Sequence, residues 1–412
     1  MDIRYRRAQA SEEKPSVAKE RSFPADKSKN FLDFAMRVRQ RVRQVPLILC
    51  FLLLTSFFQV GQSLWPLSIP HQAFIVGFVG QPCHHMGLSD DQKQICMSEA
   101  NRELLPTIRY GASLAYKQCQ YQFKYRRWNC SVPEKDSNSL FRRITGKGTK
   151  EAAFTYAISA AGVLHSIARS CVEGNLSMCG CSRERRPKDL NSNYQWGGCG
   201  DNIEYGVKFA KKFMKAGESS TEPKDTRELE RKLMNLHNNE VGIQVVIKEA
   251  KVVCACHGMS GSCNMRTCQR VLSEFRKIGD ILHVKYDNAV RVKMERKDTV
   301  EVLSIVKKKR NGEYRRDNRR LRSTNKEAGK ESLVFTRESP DYCDKSSDFP
   351  GTLGRQCSAE SYSSDSCEQL CCGRGFQKTQ VRVKKKCECK FHWCCEIRCK
   401  QCEHLETRHT CT

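Results

Sequence analysis

The stretch CACHGMSGSCNMRTC, residues 254–268, decides how the rest of this chain is read. Four cysteines stand at 254, 256, 263 and 268, two on either side of a short polar run. If Cys256 bonds Cys263 and Cys254 bonds Cys268, the bridges nest across a hairpin. Gly258 and Gly261 lie between the inner pair, and glycine enters positive-φ turns without steric cost. The tip can be tight, with Ser260 turned outward on a mount whose freedom the staples remove.

Twenty-five cysteines in 412 residues are too many for a reducing compartment unless metal explains them. Cys50 sits inside an apolar run, VPLILCFLLLTSFF at 45–58, and the remaining twenty-four suit up to twelve disulfides. That run is uncharged, has the length of a signal-peptide core and follows Arg37, Arg39, Arg41 and Arg43. It falls short of the ~20 residues of a membrane span, which weighs against the rival reading of a retained signal anchor. Gly61 and Ser63 offer a cleavage site, so the mature chain is expected to begin near Leu64; Met36 is an alternative start. The formal charge is +26, of which the mature chain keeps +20. Such a balance in a cytosolic protein suggests nucleic acid. Outside the cell the polyanions are sulfated glycosaminoglycans and anionic head groups, and a solvated basic surface is the plain alternative.

Four stretches read as helices. From Ser98 to about Tyr121, Leu105, Ile108, Leu114 and Tyr116 recur at helical spacing. Glu151 to Ser170 is the most apolar helical stretch of the mature chain, with Thr149 as its cap. Its rival, a membrane span, is disfavoured by His165, Tyr156 and its capped, charged ends. His165 reads as a satisfied core histidine. Asp225 to Val253 carries apolar residues three, four or seven apart, a long amphipathic helix with a candidate break at Gly242, and it feeds the serine hairpin. Phe275 to Tyr286 is a shorter helical candidate. Cys83 with Cys96, and Cys119 with Cys130, can close small loops. Cys171, Cys179, Cys181 and Cys199 suit either zinc or disulfides, and an oxidising compartment favours disulfides. Asn129 and Asn175 head the two N-glycosylation sequons.

Residues 291–330 hold fifteen Lys or Arg against six Asp or Glu, including Lys307, Lys308, Lys309 and Arg310. They read as an exposed basic linker, with strands expected at Thr299 to Val306 and Ser332 to Thr336. The last seventy residues hold twelve cysteines but only ten Leu, Ile, Val, Phe or Trp. Covalent staples must replace a core there. Cys387, Cys389, Cys394, Cys395, Cys399 and Cys402 lie symmetrically about one point, as a riveted hairpin requires: 387 with 402, 389 with 399, and neighbours 394 with 395 at the tip. Phe391, Trp393 and Ile397 flank that tip, and either fill the small core or form a binding knuckle.

The chain at this point resembles the Wnt proteins. CHGMSGSC (256–263) and CECKFHWCC (387–395) look like that family's two signature hairpins. RRWNCS (126–131), EAAFTYAISAAGV, WGGCGDNIEYG (196–206), LMNLHNNEVG (233–242) and LCCGRGF (370–376) follow in the same order, so the resemblance covers about residues 80–412. CQYQFKYRRWNCS and CGCSRERRPKDL lean toward the fifth Wnt subgroup, associated with β-catenin-independent signalling. Gln269 and Ala255 depart from the residues common in the family at those positions.

The resemblance implies a mainly α N-terminal domain with disulfide-braced β-hairpins at 64–288, after a basic leader and signal peptide at 1–63. A basic linker at 289–342 and a small disulfide-dominated β domain at 343–412 follow. It implies the pairings Cys171–Cys179, Cys181–Cys199, Cys343–Cys372, Cys357–Cys367 and Cys371–Cys411. It further implies palmitoleate on Ser260, added by the acyltransferase Porcupine, and no metal or other cofactor. The acyl chain would occupy a groove of the Frizzled cysteine-rich domain beside Met259, while Phe391, Trp393, Cys394, Cys395 and Ile397 grip its opposite side. Wntless during export, low-density-lipoprotein-receptor-related or Ror-type co-receptors and heparan sulfate proteoglycans are the other implied partners. The implied role is a secreted, matrix- and membrane-associated ligand of Wnt signalling in development. An enzyme using Ser260 as nucleophile is the main rival, but GMSGS lacks the last glycine of a G-x-S-x-G elbow. A plain heparin-binding matrix protein, suggested by charge alone, leaves the serine mount and the aromatic tip unexplained.

Overall fold

The computed structural model describes residues 88–98, 103–131, 147–219, 223, 225–307, 323–346, 348–393 and 396–412. The leader, the apolar run 45–58 with Cys50, Cys83, Lys308 to Arg310, and Cys394 with Cys395 lie outside them. The Cys83–Cys96 and Cys394–Cys395 pairings therefore have one or both partners beyond the described residues.

At the centre is α3, Lys150–Val172, begun by the Thr149 hydroxyl accepting from the Ala152 amide. Its alanines keep it thin, so α2 (Leu104–Phe123), α4 (Ile203–Ser219), α5 (Thr226–Glu249) and α6 (Phe275–Asp287) all pack on it. Burial on nearly every side explains why α3 reads as almost wholly apolar; among the described residues no helix is long and apolar enough to cross a membrane. Phe123, Phe154, Trp128 and Tyr286 meet edge to face across the α2–α3–α6 junction. Glu151, buried in the first turn of α3, accepts from Tyr286 at 2.8 Å and Ser339 at 2.7 Å. Burial and this carboxylate hold the Tyr286 phenol well above its ordinary range.

Several boundaries differ from the sequence reading. Helix α2 starts at Leu104, because Ser98 closes a separate helix, α1 (Asp90–Met97), which Ser89 and Gln92 begin with a reciprocal capping box. Helix α5 is unbroken at Gly242: a Cβ there would come 2.0 Å from the Ala157 carbonyl oxygen, so the glycine permits close packing on α3. It ends at Glu249, since residues 251–256 are a strand. Helix α4 was not expected at all.

The described parts of the basic stretch, residues 291–307 and 323–330, are largely strand. Strands β4 (Val290–Lys297), β5 (Val300–Val306), β6 (Ser323–Glu327) and β7 (Val334–Phe335) form one sheet in the order β6-β5-β4-β7. Strand β7 is held to α5 by Asn238, whose amide gives to and takes from the Val334 backbone at 2.9 Å each way. Lys307 is exposed.

In the C-terminal part the buried cluster is Cys357, Cys367, Leu370, Cys371 and Cys411, mostly sulfur. Strand β8 (Gln356–Cys357), helix α7 (Cys367–Leu370) and the strands β9 (Phe376–His392) and β10 (Glu396–Cys411) surround it, in sheet order β8-β10-β9. Three of those sulfurs lie within 4.8 Å of one another, but each is spent in a disulfide, Cys357–Cys367 or Cys371–Cys411. Cys343–Cys372 closes the knot. Arg355 gives to the carbonyls of Arg127 and Lys124, and Arg127 gives to that of Gln369, joining the knot to the end of α2.

Candidate functional site

The serine hairpin is built from β2 (Lys251–Cys256) and β3 (Arg266–Val271), which grow directly out of α5. Cys254 lies opposite Cys268, and that bridge is a rung across the strands. Cys256 lies opposite Arg266, so its bond to Cys263 closes the turn itself rather than adding a second rung. Between the inner cysteines the chain makes one tight turn at Met259–Gly261, with Gly258 N–H donating to the Ser262 carbonyl at 2.8 Å. Ser260 has φ 55° and Gly261 φ 76°, the left-handed region. Two successive left-handed residues throw the serine outward. Met259 beside it is 90% exposed.

This mount has a brace that the sequence did not reveal. Strand β1 (Gln195–Trp196) pairs in parallel with β3, opposite Thr267 and Cys268. Tyr194 accepts from Arg266 at 2.6 Å and stacks under its guanidinium; Glu184 pairs with Arg270 at 2.9 Å. Arg186 gathers the carbonyls of Tyr194, Leu190 and Asn191, folding the loop around one guanidinium. Asp201 then anchors the assembly, accepting from the Leu272 amide at 2.7 Å and pairing with Arg169 of α3 at 3.3 Å. Gln269 packs on Gly198 of the same loop. The only advance signal was the motif character of residues 181–206. The four cysteines there form Cys171–Cys179 and Cys181–Cys199, which fixes both ends of the brace and leaves no thiolate for zinc.

The second hairpin pairs β9 with β10. Cys389–Cys399 bridges the two strands just below the Arg398–Lys390 pair, where the register breaks. Below it the register shifts by one, with Glu388 at φ 44° as the extra residue, so Cys387 faces Lys400 and bonds Cys402 diagonally. Phe391 faces Ile397 near the tip. Phe391, Trp393 and Ile397 are 71%, 94% and 67% exposed, so they do not fill the small core.

Among the described residues nothing accepts a hydrogen bond from Ser260, and exposed His257 engages the Met265 carbonyl through its backbone. A nucleophilic serine needs a base within reach, which this turn does not supply. The two sequons differ: Asn129 is half-buried beside the Cys119–Cys130 bridge and accepts from the Ser131 amide, whereas Asn175 is exposed.

The family profile of the Wnt proteins matches residues 84–412. The chain belongs to the Wnt family. Wnt-5b of Ambystoma mexicanum is 44% identical over 87% of this chain and 94% of its own length. Wnt-5a of Pleurodeles waltl is 44% identical over 87% and 97%, and human Wnt-5b 43% over 87% and 97%. These likenesses agree with the fifth Wnt subgroup. A solved structure of human WLS in complex with WNT8A contains a chain that superposes with TM-score 0.51 at 32% identity, over 75% of this chain and 94% of that one. The Wnt frame is thus helices on α3 with a β-rich, disulfide-bonded C-terminal part. Wnt proteins are signalling ligands rather than enzymes.

Proposed function

We propose that this Wnt protein is a secreted ligand that Porcupine acylates with palmitoleate on Ser260, and that grips the Frizzled cysteine-rich domain with both hairpin tips. The observation that carries the reading is paired exposure: Met259 and Ser260 on one riveted turn, Phe391, Trp393 and Ile397 on another. Large apolar side chains held out in water on rigid supports are expected to be covered by a partner. Acylation needs the Ser260 oxygen alone: it takes the acyl group from an activated thioester, releasing the thiol. At ~0.8 kcal/mol per buried CH₂, a chain of about sixteen carbons contributes on the order of 10 kcal/mol before ordering costs. One serine can then dominate receptor affinity. The same chain would require Wntless for export and keep the ligand near membranes. Low-density-lipoprotein-receptor-related or Ror-type co-receptors and heparan sulfate proteoglycans complete the expected partners, with Lys307 to Arg310 as a glycosaminoglycan contact.

The test is intact-peptide mass and Frizzled binding of secreted wild type against Ser260→Ala. The proposal predicts a palmitoleoyl mass increment on the wild-type peptide alone and loss of binding in the variant. Equal masses and equal binding would sink it. For the glycosaminoglycan contact, neutralising Lys307 to Arg310 should lower the salt needed to elute the protein from heparin.

A further inference from the structure

An open cleft of about 760 Å³, lined about equally by polar and apolar atoms, lies on the face formed by the loop after α3 and the start of α4. One wall is the loop from Ser177 to Arg183; the other carries Asn202, Glu204, Tyr205 and Lys208. Its shape is set before any ligand arrives. The bridges Cys171–Cys179 and Cys181–Cys199 fix the loop, Ser182 N–H donates to the Gly200 carbonyl at 3.0 Å, and Asn202 Nδ2 to that of Gly180 at 2.9 Å. The two walls are therefore bonded to each other.

The lining selects a ligand class. Arg183 and Lys208 donate, Glu204 accepts, and Glu204 pairs with Lys208 at 2.7 Å. An apolar ligand would strip water from these groups without replacing its bonds. A lone anion would meet the Glu204 carboxylate. Neutral hydroxyl-rich ligands, whose rings have apolar faces and polar edges, match the mixture, and half-buried Tyr205, packed on the helical core, is the one aromatic side chain in the lining. A source of sugar is tethered nearby. Asn175 is exposed, heads a sequon and stands two residues from Ser177 on the rim, within about 7 Å by chain reach. Its Nδ2 donates to Glu173 at 3.0 Å, and N-glycosylation replaces only one of its two amide hydrogens, so that bond can persist.

We propose that this cleft seats the inner sugars of an N-linked glycan on Asn175. The proposal rests on the secreted-ligand reading, because the sequon meets the transferase only in the secretory pathway. Tethering sets an effective concentration in roughly the millimolar range, so weak carbohydrate contacts suffice to hold the glycan down.

The experiment follows release of the Asn175 glycan by a peptide amidase, without denaturant, from protein secreted by cultured cells. Glycopeptide mass at each time point is the readout for wild type, Tyr205→Ala and Arg183→Ala. Arg183 is an exposed loop residue, so its variant keeps the test valid if Tyr205→Ala fails to fold. Slow release from wild type, quickened about tenfold in either variant, supports the seated glycan; tenfold corresponds to ~1.4 kcal/mol of holding energy. Equal release from all three overturns it. A bare Asn175 in secreted, Frizzled-binding protein overturns it while leaving the ligand reading intact, whereas no export and no glycan defeats both.

Discussion

Ser260 works through its backbone before its side chain. Its φ of 55° is a conformation that most residues avoid, and the Cys256–Cys263 bridge leaves the turn little alternative. Trp393 is the corresponding residue on the other hairpin, and its exposure separates folding from binding. Replacing Trp393 by alanine should leave the melting temperature unchanged and weaken Frizzled binding by ~2 kcal/mol, about thirtyfold, by biosensor titration. Gly242 sits at the opposite extreme. A methyl group there meets the Ala157 carbonyl, so Gly242→Ala should force α5 off α3 and destabilise the protein by about 1–3 kcal/mol in denaturant unfolding. The sequence hinted at Gly242 but pointed to the wrong role. A glycine inside a helical period looks like a break, and only the neighbouring helix reveals that it is a contact.

At the scale of elements, the serine hairpin is a cantilever with a strut. The strut is the loop ending in β1, and its grip is Tyr194 on Arg266 and Glu184 on Arg270. These are surface contacts, worth little to global stability. Arg266→Ala should therefore change the melting temperature by only a degree or two, yet let the turn wander and lower the fraction of Ser260 peptide carrying acyl mass. Helices α3 and α5 were legible because their apolar faces recur over many turns. Helix α4 and strand β4 carried usable periods too, with Phe209, Ala210 and Phe213 buried away from Lys208, Lys211, Lys212 and Lys215 on the first, and Val290, Val292 and Met294 alternating with Arg291, Lys293 and Glu295 on the second, yet the sequence reading followed the charge. Charge in β4 is not all solvated: Arg291 is wholly buried and paired with Glu338 at 2.8 Å. The brace escaped notice because a two-residue parallel strand leaves no periodicity. The ladder of the second hairpin was legible from index symmetry, apart from the bulge at Glu388.

Across the whole molecule, stability is tied to pH through half-buried imidazoles. His165, His237 and His283 are all held below the ordinary histidine range, chiefly by burial, with His165 and His237 also engaging the carbonyls of Ser273 and Ser332. They stay neutral in the fold and take up protons more readily once unfolded. Their contribution is therefore complete above the unfolded value of about 6.5 and is lost as pH falls from there toward their lowered folded values. Melting temperature should be flat above about pH 7 and decline below about 6.5. His165→Gln should remove part of that slope. In the cysteine knot covalent bonds do what burial does for the helices. Along β9 and β10 only Cys411 is buried, so both faces of this long hairpin meet water over nearly its whole length. Burial does not dictate which residues stand between its cysteines. Charge along that ribbon can therefore be changed, reversed or neutralised without touching what holds the molecule folded, which makes it the place where this chain's surface chemistry is most easily retuned.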